Sequence, residues 1–143
     1  MPQNPPSTEP DAENKLVLIG EDDLDDQELF REIFSSIDTK LDLQFVSNGA
    51  GVISFIENCG EQRLPCLIIL DYNMPELSGA DILELLQKNN RCKNIPKIIW
   101  STSGSEMFKK RCLELGASAY LIKPSSVSDL KEIATHMLSY CES

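Results

Sequence analysis

Four short stretches of this chain place polar, reactive side chains directly after apolar runs. Glu21 and Asp22 follow "LVLIG", Asp71 follows "CLIIL", Ser101 and Thr102 follow "KIIW", and Lys123 follows "SAYLI". Three carboxylates brought together repel and raise one another's pKa unless a cation joins them, and an all-oxygen donor set suits a hard divalent ion such as Mg²⁺. A carboxylate beside such an ion and an ammonium can act as a nucleophile toward phosphorus, because phosphoryl transfer depends mainly on positioning and charge neutralisation. Each residue alone has a plainer reading. Acids after a strand cap helices, Asp71 can open a turn with Asn73 and Pro75, and Ser101, Thr102 and Ser103 suit a loop. Only a shared location makes them a site.

The surrounding elements predict that location. "KLVLIG" reads as a strand, and "DLDDQELFREIFSSI" as a helix with Leu29, Phe30, Ile33, Phe34 and Ile37 inward. Asp23, Asp25 and Asp26 crowd its first turn, where acids complement the helix dipole. "LDLQFVS" is a second strand, with Leu43 and Phe45 on one face. A helix through "NGAGVISFIENCG" follows, Val52, Ile53 and Ile56 inward and Gly60 at its end. "CLIIL" is the third strand, and "SGADILELLQKN" the third helix, with Ile82, Leu83, Leu85 and Leu86 as its buried stripe. "KIIWS", a helix through "SEMFKKRCLELG" ending at Gly116, "SAYLIK" and a last helix through "SVSDLKEIATHMLSYC" complete the alternation. Five strands alternating with five helices, at least two of the strands apolar throughout, imply an α/β fold with a parallel sheet covered on both faces. In such sheets the ligand site lies at the carboxyl ends of the strands, where the reactive residues fall.

Length and composition bound the remainder. The 143 residues suit one domain, and 23 acidic against 13 basic residues give a formal charge of −10, which disfavours nucleic acid and anionic membrane surfaces. Five cysteines without a C-x-x-C pair suit neither a disulfide framework nor zinc, so reduced structural thiols in a cytoplasmic protein are expected, with Cys141 the one placed to be exposed. Residues 1–14, Pro-rich and polar, read as a flexible tail ahead of one domain over residues 15–143. No apolar run approaches membrane-spanning length.

The set formed by Glu21-Asp22, "LIILDYNMPELSG", "IIWSTS" and "GASAYLIKP" resembles the receiver domain of two-component response regulators, from Lys15 to the C-terminus. The resemblance implies a flavodoxin-like sheet in order 2-1-3-4-5. It implies that Asp71 is the phosphoacceptor, taking a phosphoryl group from a kinase phosphohistidine. Asp22, Asp71 and the backbone carbonyl of Asn73 would hold Mg²⁺, with Glu21 acting through water. Ser101 and Lys123 would contact the phosphoryl oxygens, Thr102 follows the switch hydroxyl, and Tyr120 matches the aromatic that changes rotamer with it. Pro124 matches a proline commonly preceded by a cis peptide. "GEDDLDDQELF" is similar to the first motif of small stand-alone receivers, including those paired with phytochrome-type kinases.

Three departures from the family pattern stand out. Gly20 replaces a larger apolar residue and is expected to leave the acidic pair less constrained; Thr102 replaces a small residue, and Trp100 precedes the hydroxyl. Twenty residues follow Lys123, room for one helix and no output domain, so output is expected through the receiver's own surface or by onward phosphotransfer. The partners so implied are a sensor histidine kinase or phosphotransfer protein, an unknown downstream protein, and a second copy through the fourth helix, fifth strand and fifth helix. Lys109, Lys110 and Arg111 read as a solvated helix face, Met107 and Phe108 as packing, and His136 as a helix-surface residue. The competing readings are an aspartyl-nucleophile phosphatase, which would carry D-x-D where this chain has Asp71-Tyr72-Asn73, and a degenerate receiver that only binds. A dedicated multiple-turnover enzyme is not expected. Nor is there a P-loop sequence.

Overall fold

Each of the five expected strands forms, and each amphipathic segment is a helix. The computed structural model describes residues 15–141, so the expected flexible tail over residues 1–14 lies outside the described residues. The strands are β1 (Leu16–Gly20), β2 (Asp42–Val46), β3 (Leu67–Asp71), β4 (Lys97–Ser101) and β5 (Ala119–Ile122). The helices are α1 (Leu24–Ile37), α2 (Gly49–Asn58), α3 (Gly79–Gln87), α4 (Glu106–Glu114) and α5 (Val127–Leu138), with single 3₁₀ turns at Glu61–Arg63, Asn90–Cys92 and Ser139–Cys141. All strand pairs are parallel, in the order β2-β1-β3-β4-β5. Among the described residues no helix is long and apolar enough to cross a membrane.

β1, β3 and β4 are buried along their whole length, so their side chains feed a core on each side of the sheet. Leu18, Ile68, Leu70, Ile99 and Tyr120 pack with α2, α3 and α4. Val17, Ile19, Leu67, Ile69, Ile98 and Trp100 pack with α1 and α5, where Phe30 lies 5.6 Å from the Trp100 ring and 5.5 Å from Phe34. The helices are fixed at their starts by side-chain caps: Asp23 on α1, Asn48 on α2, Ser105 on α4, Ser126 on α5, and a reciprocal Ser78–Asp81 pair on α3.

Four local expectations need correction. Leu85 is 41% exposed, because α3 buries Ala80, Ile82, Leu83 and Leu86 and turns Leu85 outward. Met107 is 72% exposed on the solvent side of α4; only Phe108 packs, stacked on Tyr72 with ring centroids 4.8 Å apart. α2 stops at Asn58 with Cys59 as its cap, before Gly60. Cys66 and Cys141 are joined in a disulfide, Cα atoms 5.0 Å apart, and Cys141 is buried, whereas Cys59, Cys92 and Cys112 are free thiols. The pair was hidden by a sequence separation of 75: α5 runs back along the sheet and returns the last turn to the start of β3.

Candidate functional site

Register places the reactive residues level with one another. Gly20 pairs with Leu70, Asp71 with Trp100, and Ser101 with Ile122, so Glu21, Asp71 and Lys123 stand at one edge of the sheet. Alternation then assigns their faces. Asp71 has the parity of Leu67 and Ile69, and Lys123 that of Ala119 and Leu121, all on the α1/α5 side. Ser101 has the parity of Ile99, on the opposite side.

The first carboxylate is fixed from within. Glu21 is 1% exposed; its N–H donates to the carbonyl of Val46 (2.9 Å), and its Oε2 accepts the Asp23 N–H (3.2 Å). The buried amide of Gln27, on α1, donates to the Glu21 carbonyl at 2.6 Å. Asp22 is exposed toward the solvent beside it. Asp71 accepts the N–H of Asn73 on Oδ1 (2.9 Å) and the Lys123 ammonium on Oδ2 (2.7 Å). Lys123 Nζ also lies 3.5 Å from Glu21 Oε1 and 3.6 Å from Asp26 Oδ2. One carboxylate oxygen from each of Glu21, Asp22 and Asp71 falls within 4.8 Å of the other two, a spacing that one cation can bridge.

The electrostatics follow from this crowding. Burial, and then the charge of Asp71, push the Glu21 carboxyl up to about 7 from 4.5, against the pull of Lys123 and the Asp23 N–H. Burial by itself would lower the Lys123 pKa, but the hydrogen bond and charge of Asp71, joined by Glu21 and Asp26, raise it above its ordinary value.

Ser101 is wholly buried, and its Oγ accepts the N–H of Ser103 at 3.0 Å; Thr102 is exposed beyond the strand. Tyr120 is buried with its hydroxyl donating to the Ser103 carbonyl at 2.7 Å, so the aromatic and the Ser101 loop are already joined. The peptide between Lys123 and Pro124 is trans, as is every other among the described residues, contrary to the expected cis bond. Trans is the lower-energy isomer of an X-Pro bond by roughly 0.5–1 kcal/mol, and the β5–α5 link is built in it. Gly20 does not loosen the acidic pair. A Cβ there would stand 2.8 Å from Met74 Cε and 3.2 Å from Leu70 Cδ2, so Met74 occupies the space that the absent side chain leaves. Gly79 serves close approach, since a Cβ would come within 3.1 Å of Tyr72 Cα; the left-handed residue in this loop is Glu76, at φ 73°.

Three contacts escaped sequence reasoning. Gln27 had a signal: a polar residue standing on the stripe Phe30, Ile33, Phe34 needs a buried partner. Asp26 read as one more acid for the helix dipole, and its approach to Lys123 has no local signature. The Tyr72–Phe108 stack likewise joins residues far apart in the chain.

Comparison with known proteins decides the family. A model of the response regulator receiver domain matches residues 17–135. The chain belongs to that family. The receiver is 30% identical over 115 residues to the rice two-component response regulator ORR5, covering 80% of this chain and 85% of that protein. It is 28% identical over 129 residues to response regulator Rcp1 of Synechocystis, covering 88% of each. The crystal structure of the Mn²⁺-bound form of Rcp1 superimposes with a TM-score of 0.78 over 90% of this chain and 96% of that one. The phosphorylated cyanobacterial phytochrome response regulator RcpA gives 0.81 at 25% identity, covering 91% and 95%. The small receivers suggested by the first motif are thus among the receiver's structural neighbours.

Proposed function

We propose that this receiver accepts a phosphoryl group onto Asp71 from the phosphohistidine of a sensor histidine kinase or phosphotransfer protein, in a Mg²⁺-dependent reaction. The observation that carries the reading is the Lys123 ammonium 2.7 Å from Asp71 Oδ2, inside a cluster of three carboxylates. An Asp71 oxygen attacks phosphorus as the bond to the histidine nitrogen breaks. Lys123 neutralises charge on the transferred oxygens, and Ser101, released from the Ser103 N–H, donates its hydroxyl to another. The donor set fits Mg²⁺: besides the burial that lifts the Glu21 pKa most, the charge of Asp71 raises it further, and that repulsion is what a cation relieves. Asp22, Asp71 and the Asn73 carbonyl would hold it, with Glu21 acting through water, and it would supply neutralisation of the phosphoryl charge. That Rcp1 has a Mn²⁺-bound form and RcpA a phosphorylated one supports the reading.

Signalling would follow by a shift in the face formed by α4, β5 and α5, with Tyr120 moving after Ser101, toward a protein partner, a second copy or onward phosphotransfer. Thr102, exposed at the mouth, would tune access of the donor or of water, which returns the aspartyl phosphate to aspartate. The receiver is therefore a phosphoacceptor that dephosphorylates itself, not a dedicated enzyme. A cytoplasmic location follows from the proposed kinase partner; with Cys66 and Cys141 bonded, the thiols no longer argue for it.

The test is incubation with acetyl phosphate and Mg²⁺, followed by intact mass. One phosphoryl adduct is expected on the wild type, with none on Asp71→Asn or after chelation. An adduct that survives Asp71→Asn, or repeated release of phosphate from a free phosphoester, would overturn the assignment.

A further inference from the structure

Lys123 is shared by three acids, and only two of them belong to the proposed phosphoryl and metal chemistry. The third, Asp26, is on the first turn of α1 and 40% exposed, with its Oδ2 3.6 Å from the Lys123 Nζ. Glu21 and Asp71 reach the same ammonium from the sheet edge, at 3.5 and 2.7 Å. Between Asp26 and Lys123 opens a cavity of about 90 Å³, walled by Phe30, Trp100, Pro124 and Leu130. The lysine stem therefore borders open space on its α1/α5 side, the side on which Asp26 stands.

We propose that Asp26 is a positioning residue offering the Lys123 ammonium a second seat, and that this competition sets how much of the ammonium's charge reaches a phosphoryl group on Asp71. This inference rests on the phosphoacceptor reading. A phosphoryl group draws Lys123 toward its own oxygens and away from α1. Every conformer in which Asp26 keeps the lysine is then unavailable to the phosphoryl group, so the acid weakens the phosphorylated state through the lysine. Asp25, one residue away on the same turn, carries the same charge; its structural role is at the backbone, where its N–H donates to the Asp23 cap. It is the control for charge that does not act through contact.

The experiment measures beryllofluoride affinity in the presence of Mg²⁺ by calorimetry, on the full chain, for wild type, Asp26→Asn and Asp25→Asn. Asp26→Asn is expected to bind about two- to fivefold more tightly, the size of a half-exposed ion pair, and Asp25→Asn to match the wild type. A gain in affinity cannot come from a damaged fold. Unchanged or weaker binding by Asp26→Asn overturns the inference, as does equal tightening in both variants, which would make the effect one of net charge. Absence of binding by the wild type would instead sink the phosphoacceptor reading, and this inference with it.

Discussion

Glu21 is a residue whose surroundings oppose its charge. It is buried against Asp71, and the fold raises its pKa from 4.5 to about 7, favouring the protonated form. Its stabilising contribution is therefore complete below about pH 4.5, declines as the pH rises, and is gone above about 7. In the metal-free protein this one group is expected to remove up to about 3 kcal/mol across that window, taking one pKa unit as about 1.4 kcal/mol. Urea unfolding at a series of pH values tests this. The wild type should lose stability toward pH 8 relative to Glu21→Gln, and Mg²⁺ should restore more of it to the wild type than to the variant. Parallel pH curves for the two proteins would show that Glu21 ionises without strain. The residue types were legible because each follows an apolar run. The surroundings were less so: Gln27, only six residues from the Glu21 carbonyl it holds, had a local signal, whereas Asp26 facing Lys123 is a contact made across the fold.

Among the elements, strands and helices follow from periodicity, and their capping residues sit next to them in sequence. What periodicity cannot show is support delivered from a distance. α2 has no basic residue in its last turn to meet its orphan carbonyls. Arg91, on the 3₁₀ turn before β4, supplies one: its guanidinium donates to the carbonyl of Ile56 (2.6 Å), to that of Glu57 (3.2 Å) and to that of Cys59, with Nε 3.2 Å from Glu61 Oε1. Arg91→Met keeps the stem and removes the donors, so a loss of about 1–3 kcal/mol is expected. Amide exchange should quicken at the end of α2, while phosphoryl uptake at the far edge of the sheet persists. Unaltered exchange there would mean that solvent satisfies those carbonyls equally well. The same limit explains Leu85 and Met107: an apolar residue on a helix flank reads as core until the neighbouring elements are in place.

For the whole molecule, the parallel α/β class was readable from the alternation of strand and helix, and the strand order from the resemblance to receivers, but the closure of its end was not. An odd count of five cysteines conceals one bonded pair and three free thiols. The bridge joins the start of β3 to the turn after α5, with Lys15 Nζ donating to the Cys141 carbonyl at 3.2 Å, and so ties the last helix to the amino edge of the sheet. Across a sequence separation of 75, the loss of unfolded-chain entropy is worth roughly 4 kcal/mol in the loop-closure account. Cys141→Ser should therefore lower stability by about 2–4 kcal/mol under non-reducing conditions. A reducing agent should bring the wild type down to the level of the variant and leave the variant unchanged. Alkylation of the denatured wild type should count three thiols before reduction and five after; five from the outset would show the bond absent. Phosphoryl uptake should survive, because Asp71 stands at the opposite end of β3, about 16 Å away at the usual rise of a strand. A stability loss with unchanged uptake would separate what holds the last helix in place from what reacts at Asp71.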